Sequence, residues 1–205
     1  MSSGELFVVS APSGTGKTTL IRRLLADLPG IDFSVSFTTR PMREGEKEGV
    51  DYHFIDDVKF DGMLAAGEFL EWARVHGRRY GTGSRLVDAS LAFGHDVLLD
   101  IDTQGAASVR KLRKEAVLIF ILPPDPGTLE ARLRGRRLES GDEARRRLSN
   151  AKQEMERHTD YDHLVINDDM ERALRELTAI VLAHRSGGER RRQECRLILE
   201  SFQTR

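Results

Sequence analysis

A doubly wound α/β fold on a parallel sheet is predicted by the alternation of short apolar runs with helical segments along this chain. Three runs, Val97-Leu98-Leu99-Asp100, Val117 to Leu122 and Leu164 to Ile166, are brief and almost wholly apolar, as strands buried on both faces are. They stop at a carboxylate, at Pro123-Pro124 and at Asn167-Asp168-Asp169. A further run, Leu6 to Ser10, leads directly into Ala-Pro-Ser-Gly-Thr-Gly-Lys-Thr-Thr over residues 11–19, a Gly-rich turn that opens a helix. Strand, phosphate-cradling loop and helix are therefore the expected start.

The helix after the loop, Thr18 to Leu28, carries Leu20, Leu24, Leu25 and Leu28 at helical spacing and is stopped by Pro29-Gly30. From Phe33 to Tyr52 the chain turns polar and glycine-containing, with β-prone pieces at Phe33 to Thr39 and Tyr52 to Ile55. This reads as a small inserted lobe, to which a helix over Val58 to Ala66 and a strand over Phe69 to Val75 belong. A helix near Ser84 to Ala92 then returns the chain to the apolar strands. The segment from about Ser186-Gly187-Gly188 reads as an appended polar helix. With 205 residues and 39% hydrophobic content, the chain can bury one sizeable core and still carry insertions.

Charge excludes more than it suggests. The formal net charge of −1, from 32 Lys+Arg and 33 Asp+Glu, gives no overall pull toward nucleic acid or a membrane surface. Basic function must come from local clusters, around Arg132 to Arg147 and Glu189 to Arg196. The single Cys195 cannot form an internal disulfide, and no apolar stretch is long enough to span a bilayer or serve as a signal peptide. A soluble cytoplasmic protein is expected. Its six histidines lack metal-ligand spacing, so no structural zinc is expected either.

The loop explains its own composition. Gly14 and Gly16 let successive backbone N–H groups converge on anionic oxygens at the positive end of a helix, Lys17 can bridge the outer phosphates, and Thr18 can offer its hydroxyl to Mg²⁺. Ala11 stands where the pattern has its first glycine, which requires a negative φ there. Asp100, at the end of its apolar strand, stands where a second carboxylate would hold the metal's water shell; a turn or helix cap is the plainer alternative. Arg40 and Arg43 would by themselves be a solvated loop pair. With Tyr52, Tyr80 and Glu71 in the same stretch they could instead line a second nucleotide pocket, since guanidinium forks suit a phosphate.

The strings APSGTGKTT, FSVSFTTRPMREGEKEGVDYHF, EFLEWARVHGRRYGT, LDIDTQG, RLRGR and VINDD, in this order and spacing, resemble guanylate kinase over almost the whole chain. The resemblance implies a phosphate-loop NTPase-like parallel sheet flanked by helices, with an inserted small mixed α/β GMP-binding lobe and a helical lid. It divides the chain into a core at 4–33 and 95–185, an insert at about 34–94, a lid at about 126–150 and a tail at 186–205. It implies transfer of the ATP γ-phosphoryl group to GMP or dGMP with Mg²⁺. The GMP phosphate would then be held by Arg40, Arg43, Tyr52 and Tyr80, and guanine by Ser36, Glu71, Thr82 and Asp102, with Gly81 also in the GMP-binding site. ATP phosphates would lie on the loop of Ala11, Pro12, Ser13, Gly14, Thr15, Gly16, Lys17 and Thr18, under lid arginines Arg132, Arg136 and Arg147, with Asn167 near the adenine. Thr82 stands where some members have Ser, a small departure.

The chemistry of guanine agrees with that assignment. Its ring N–H and exocyclic amine are adjacent donors, so a carboxylate such as Glu71 that accepts both selects guanine over adenine. A charged acceptor facing the wrong base would be left unpaired, a penalty of about 1–3 kcal/mol. Asp102 could accept from the same amine or be a structural turn carboxylate. Phosphoryl transfer needs in-line positioning and compensation of negative charge, which arginines supply, and Gly135 with Ser140-Gly141 suits a mobile segment. The competing reading is a non-catalytic guanylate-kinase-like protein-binding module; such modules degrade the phosphate loop, whereas Lys17, Thr18 and Asp100 are all present. Apolar Leu197, Ile198 and Phe202 in the tail are candidates for contact in a homo-oligomer.

Overall fold

The computed structural model describes residues 3–75, 77–134 and 141–203. Its main sheet has five strands, all paired in parallel: β1 (Leu6–Ser10), β2 (Ile31–Phe33), β7 (Asp96–Asp100), β8 (Val117–Leu122) and β9 (His163–Ile166). Their spatial order is β2-β7-β1-β8-β9, so β1 lies at the centre. Alternation along the strands divides the core between two faces. Phe7, Val9, Leu98, Ile119, Ile121 and Val165 pack with Leu20 and Leu24 of α1 (Lys17–Asp27) and Leu177 and Val181 of α7 (Met170–Ser186). On the opposite face Leu6, Val8, Val97, Leu99 and Leu118 meet Val87 of α3 (Ser84–Ala92) and Ala106 and Val109 of α4 (Thr103–Leu112). Helices on both faces of a parallel sheet make the doubly wound fold that the apolar runs foretell.

A second, four-stranded sheet, in the order β4-β3-β6-β5, is drawn from β3 (Phe37–Thr38), β4 (His53–Phe54), β5 (Phe69–Val75) and β6 (Arg78–Gly83). It is mixed, with β3 parallel to β4 and antiparallel to β6. Helix α2 (Asp57–Ala65) covers it through Phe60, which is fully buried and stacks on Phe69 at 4.5 Å between centroids. The Asp56 side chain caps α2 by accepting from the Lys59 N–H.

The β-prone piece expected over Phe33 to Thr39 is divided in the structure. Ile31–Phe33 pairs with β7 in the main sheet, while Phe37–Thr38 pairs inside the second one. The break at residues 34–36 carries the chain between the two sheets. Strand β6 was not foreseen, because Arg78-Arg79-Tyr80-Gly81-Thr82-Gly83 lacks an apolar alternation; its antiparallel pairing with β5 makes it a strand. Helices α5 (Pro126–Arg134) and α6 (Gly141–Met155) pack through Leu129, Leu133 and Ala151, and a polar helix α8 (Gly188–Gln203) follows α7.

Candidate active site

The carboxyl ends of β1 and β7, the loop after β1, and β5 and β6 of the second sheet surround one cleft of about 310 Å³. The loop at its floor is fixed by backbone geometry. Gly14 and Gly16 have φ of 89° and 91°, which favours glycine. A Cβ on Gly16 would also fall 2.6 Å from Asn167 Nδ2, and one on Gly14 2.9 Å from Leu133 Cδ2. No side chain caps α1 at Gly16 and no acidic residue occupies its first turn, leaving its N-terminal amides to an anion. Ala11 packs partly buried against the core.

The loop is braced from behind. Thr15 Oγ1 donates to the Pro12 carbonyl at 2.6 Å, and Asn167 Nδ2 donates to the Thr15 carbonyl at 2.6 Å. Arg132, on α5, donates to the carbonyls of Asn167 (3.1 Å) and Thr15 (3.4 Å). Asn167 is almost fully buried, and its Oδ1 has no hydrogen-bond partner among the described residues. At the first turn of α1, Lys17 is ion-paired with Asp100, and both side chains are about one-fifth exposed (19% and 22%). Thr18 lines the same cleft beside them. A hydroxyl and a carboxylate are hard oxygen donors that fit Mg²⁺, which keeps most of its own water.

Across the cleft, Glu71 on β5 is only 6% exposed. Burial, reinforced by the neighbouring Asp102 and partly countered by hydrogen bonds from Thr82, pushes its carboxyl up to about 7. Thr82, fully buried on the adjacent β6, donates from Oγ1 to Glu71 Oε1 at 2.6 Å. Asp102 both lines the cleft and caps α4, its Oδ1 accepting from the Gly105 N–H at 2.8 Å. Ser36 borders the cleft from the segment joining the two sheets. Gly81 pairs within the second sheet, and a Cβ there would meet Phe69 at 2.8 Å, so the structure gives it a packing role.

Arg40 is held from several sides. Its Nη1 and Nη2 donate to Glu46 Oε2 and Oε1 at 3.0 and 2.7 Å, and its guanidinium stands over the rings of Tyr52 (5.2 Å) and Phe54 (5.6 Å). Tyr52 and Tyr80 pack edge to face and line the cleft. Burial, with Asp100 next in weight, pushes the Tyr52 phenol up to about 12, so it stays a donor. The Arg43 side chain is exposed, while its backbone N–H donates to Glu46 at 2.7 Å. Arg147 lies half-buried on α6, and Arg136 lies outside the described residues.

Two residues escape the sequence reading. Glu46 joins Arg40 to the Arg43 backbone, and its only signal was an acidic residue three places after Arg43. Glu154 lines the cleft from α6, and burial raises its carboxyl above the ordinary range despite Lys17 nearby. Its signal was its spacing of seven from Arg147, which puts both on one helical face.

A sequence model of the guanylate kinase family matches residues 3–184. The guanylate kinase of Syntrophotalea carbinolica is 48% identical over 192 residues, covering 94% of this chain and 91% of that protein. That of Neisseria meningitidis serogroup B is 52% identical over 182 residues, covering 89% of each. The solved structure of guanylate kinase from Anaplasma phagocytophilum superposes with a TM-score of 0.75 at 33% identity, covering 89% of this chain and 87% of that one.

Proposed function

The chain belongs to the guanylate kinase family and is an ATP:GMP phosphotransferase that uses Mg²⁺, and from that premise we propose how its own residues share the reaction. The observation that carries the proposal is the meeting, in one cleft, of the phosphate loop with Glu71, itself tied to Thr82. One half of the cleft suits ATP and the other half guanine. The main sheet with its helices (4–33 and 95–185) serves as core, residues 34–94 as the GMP-binding lobe, and about 126–150 as lid, with 186–205 as a tail.

The loop from Ala11 to Thr18 holds the ATP phosphates on its backbone N–H groups, and the orphaned Asn167 Oδ1 awaits a donor such as the adenine amine. Lys17 exchanges Asp100 for phosphate oxygens when nucleotide arrives, which frees Asp100 and Thr18 for the ion's water shell. Mg²⁺, when bound, offsets charge on the β- and γ-phosphate oxygens. Arg40, Arg43, Tyr52 and Tyr80 hold the GMP phosphate. Glu46 and the two flanking rings fix the Arg40 guanidinium beforehand, so less side-chain freedom is lost on binding. Glu71 accepts the guanine donors, aided by Ser36, Thr82 and Asp102. Arg132, Arg136 and Arg147 compensate charge spreading over the transferred group.

The same pocket takes dGMP, since no residue assigned to it is reserved for a ribose hydroxyl. Among the described residues no helix is long and apolar enough to cross a membrane. Leu197, Ile198 and Phe202 on α8 are exposed and could join copies of the chain, which size-exclusion chromatography would test. A coupled ADP-release assay across GMP, dGMP, AMP, UMP and CMP tests the whole reading. Turnover confined to GMP and dGMP is expected; equal turnover of AMP would refute the base assignment.

A further inference from the structure

Gly105 is the third residue of α4, and its backbone has no positive φ that would demand glycine. Alanine would favour a helix at this point. The requirement lies in the space beside it. A Cβ on Gly105 would fall 2.6 Å from Glu71 Oε2, 3.1 Å from Glu71 Cδ and 3.3 Å from Asp102 Oδ1. The first distance is too short for any real contact, and the two carboxylates converge on the same notch in the helix. Glu71 has little room to retreat, because Thr82 holds its other oxygen at 2.6 Å and the side chain is buried. Nor can α4 withdraw freely, since Ala106 and Val109 pack in the same buried cluster as Leu70, the residue before Glu71.

We propose that Gly105 is a specificity-determining residue: the missing side chain lets Glu71 seat its carboxylate against the first turn of α4 in the orientation that receives both guanine donors. This rests on the reading that Glu71 recognises the base. Gly105 touches no substrate and acts as a positioning residue through Glu71. A methyl group here would turn the carboxylate and spoil a two-point contact, while harming a one-point contact less. Inosine monophosphate makes that comparison, because it keeps the ring N–H of GMP and lacks the exocyclic amine.

The test compares Gly105→Ala, Glu71→Gln, Glu71→Ala and the double variant Gly105→Ala/Glu71→Ala with the full-length parent. In Gly105→Ala, kcat/KM for GMP should fall roughly tenfold or more and that for inosine monophosphate distinctly less, with KM for ATP unchanged. The substitution should lower Tm in the parent and raise it in the Glu71→Ala background, where the collision is gone. A single variant that fails to fold, beside a double variant that folds, supports the same conclusion. Equal losses on both nucleotides, or a higher Tm in both backgrounds, overturns the role of Gly105. If Glu71→Gln has by then lost its GMP preference, the reading of Glu71 still stands. If Glu71→Gln keeps that preference, the reading itself falls and the proposal with it.

Discussion

Lowering the pH from 8 to 6 should weaken GMP utilisation through Glu71. Burial raises this carboxyl from its ordinary 4.5 to about 7, which means the ionised form is disfavoured in the unliganded protein by about 3 kcal/mol. In the proposed site guanine supplies the donors that restore it, so GMP should bind the ionised form and displace a proton where one is present. With the carboxyl half-ionised near pH 7, kcat/KM for GMP should drop roughly tenfold between pH 8 and pH 6. The sign for stability is opposite. A raised carboxyl pKa means that the unliganded fold takes up a proton the unfolded chain does not bind between about 4.5 and 7, so this group favours folding as pH falls through that window. The GMP phosphate titrates in the same range, so the informative quantity is the difference between parent and Glu71→Gln profiles. Glu71→Gln should lower GMP efficiency by roughly tenfold to a few hundredfold, erode the preference over AMP, and remove the limb assigned to Glu71. Calorimetry in buffers of different ionisation enthalpy should record fewer protons released by the variant at pH 6.5. Superimposable profiles and equal proton release would refute the argument that an ionised Glu71 receives the base.

Lys17→Met should abolish most turnover and leave the fold and GMP affinity nearly intact, because the lysine compensates charge that grows during transfer; near-normal turnover would remove the loop as the ATP site. Arg40→Ala should weaken GMP more than guanosine, and more than Arg43→Ala does, since Arg40 is preset by Glu46, Tyr52 and Phe54 while Arg43 is exposed. Equal losses for guanosine and GMP in calorimetric titrations would mean that these arginines shape the lobe instead. On the proposed division into a GMP-binding lobe and a lid, closure should need both nucleotides, because early closure over ATP would invite transfer to water. Small-angle scattering should give a smaller radius of gyration only when both substrates or their inert analogues are present, and an unchanged radius throughout would count against a moving lobe.

The parallel core and the phosphate loop are legible in the amino-acid sequence, because both rest on local chemistry. A strand buried on both faces must be apolar throughout, as Val117 to Leu122 is, and a loop that turns its amides on an anion needs glycine at positive φ, as Gly14 and Gly16 have. The tertiary structure alone decided the second sheet and the partners of the charged groups. Arg78-Arg79-Tyr80-Gly81-Thr82-Gly83 becomes a strand by pairing with β5, and buried Arg79 is made tolerable by Asp57 and Asp61 from α2 and by the ring of Phe60 beneath it. Residue type could nominate Glu71, Thr82 and Asp102 but not say that Thr82 bonds Glu71 or that Asp102 caps α4. Nor could it bring Glu46 to Arg40 or Glu154 into the cleft. Thr82 reaches Glu71 only because β5 pairs with β6, and Glu46 and Asp102, though six and three residues from their partners, bear no local mark of which guanidinium or N–H the backbone will set beside them.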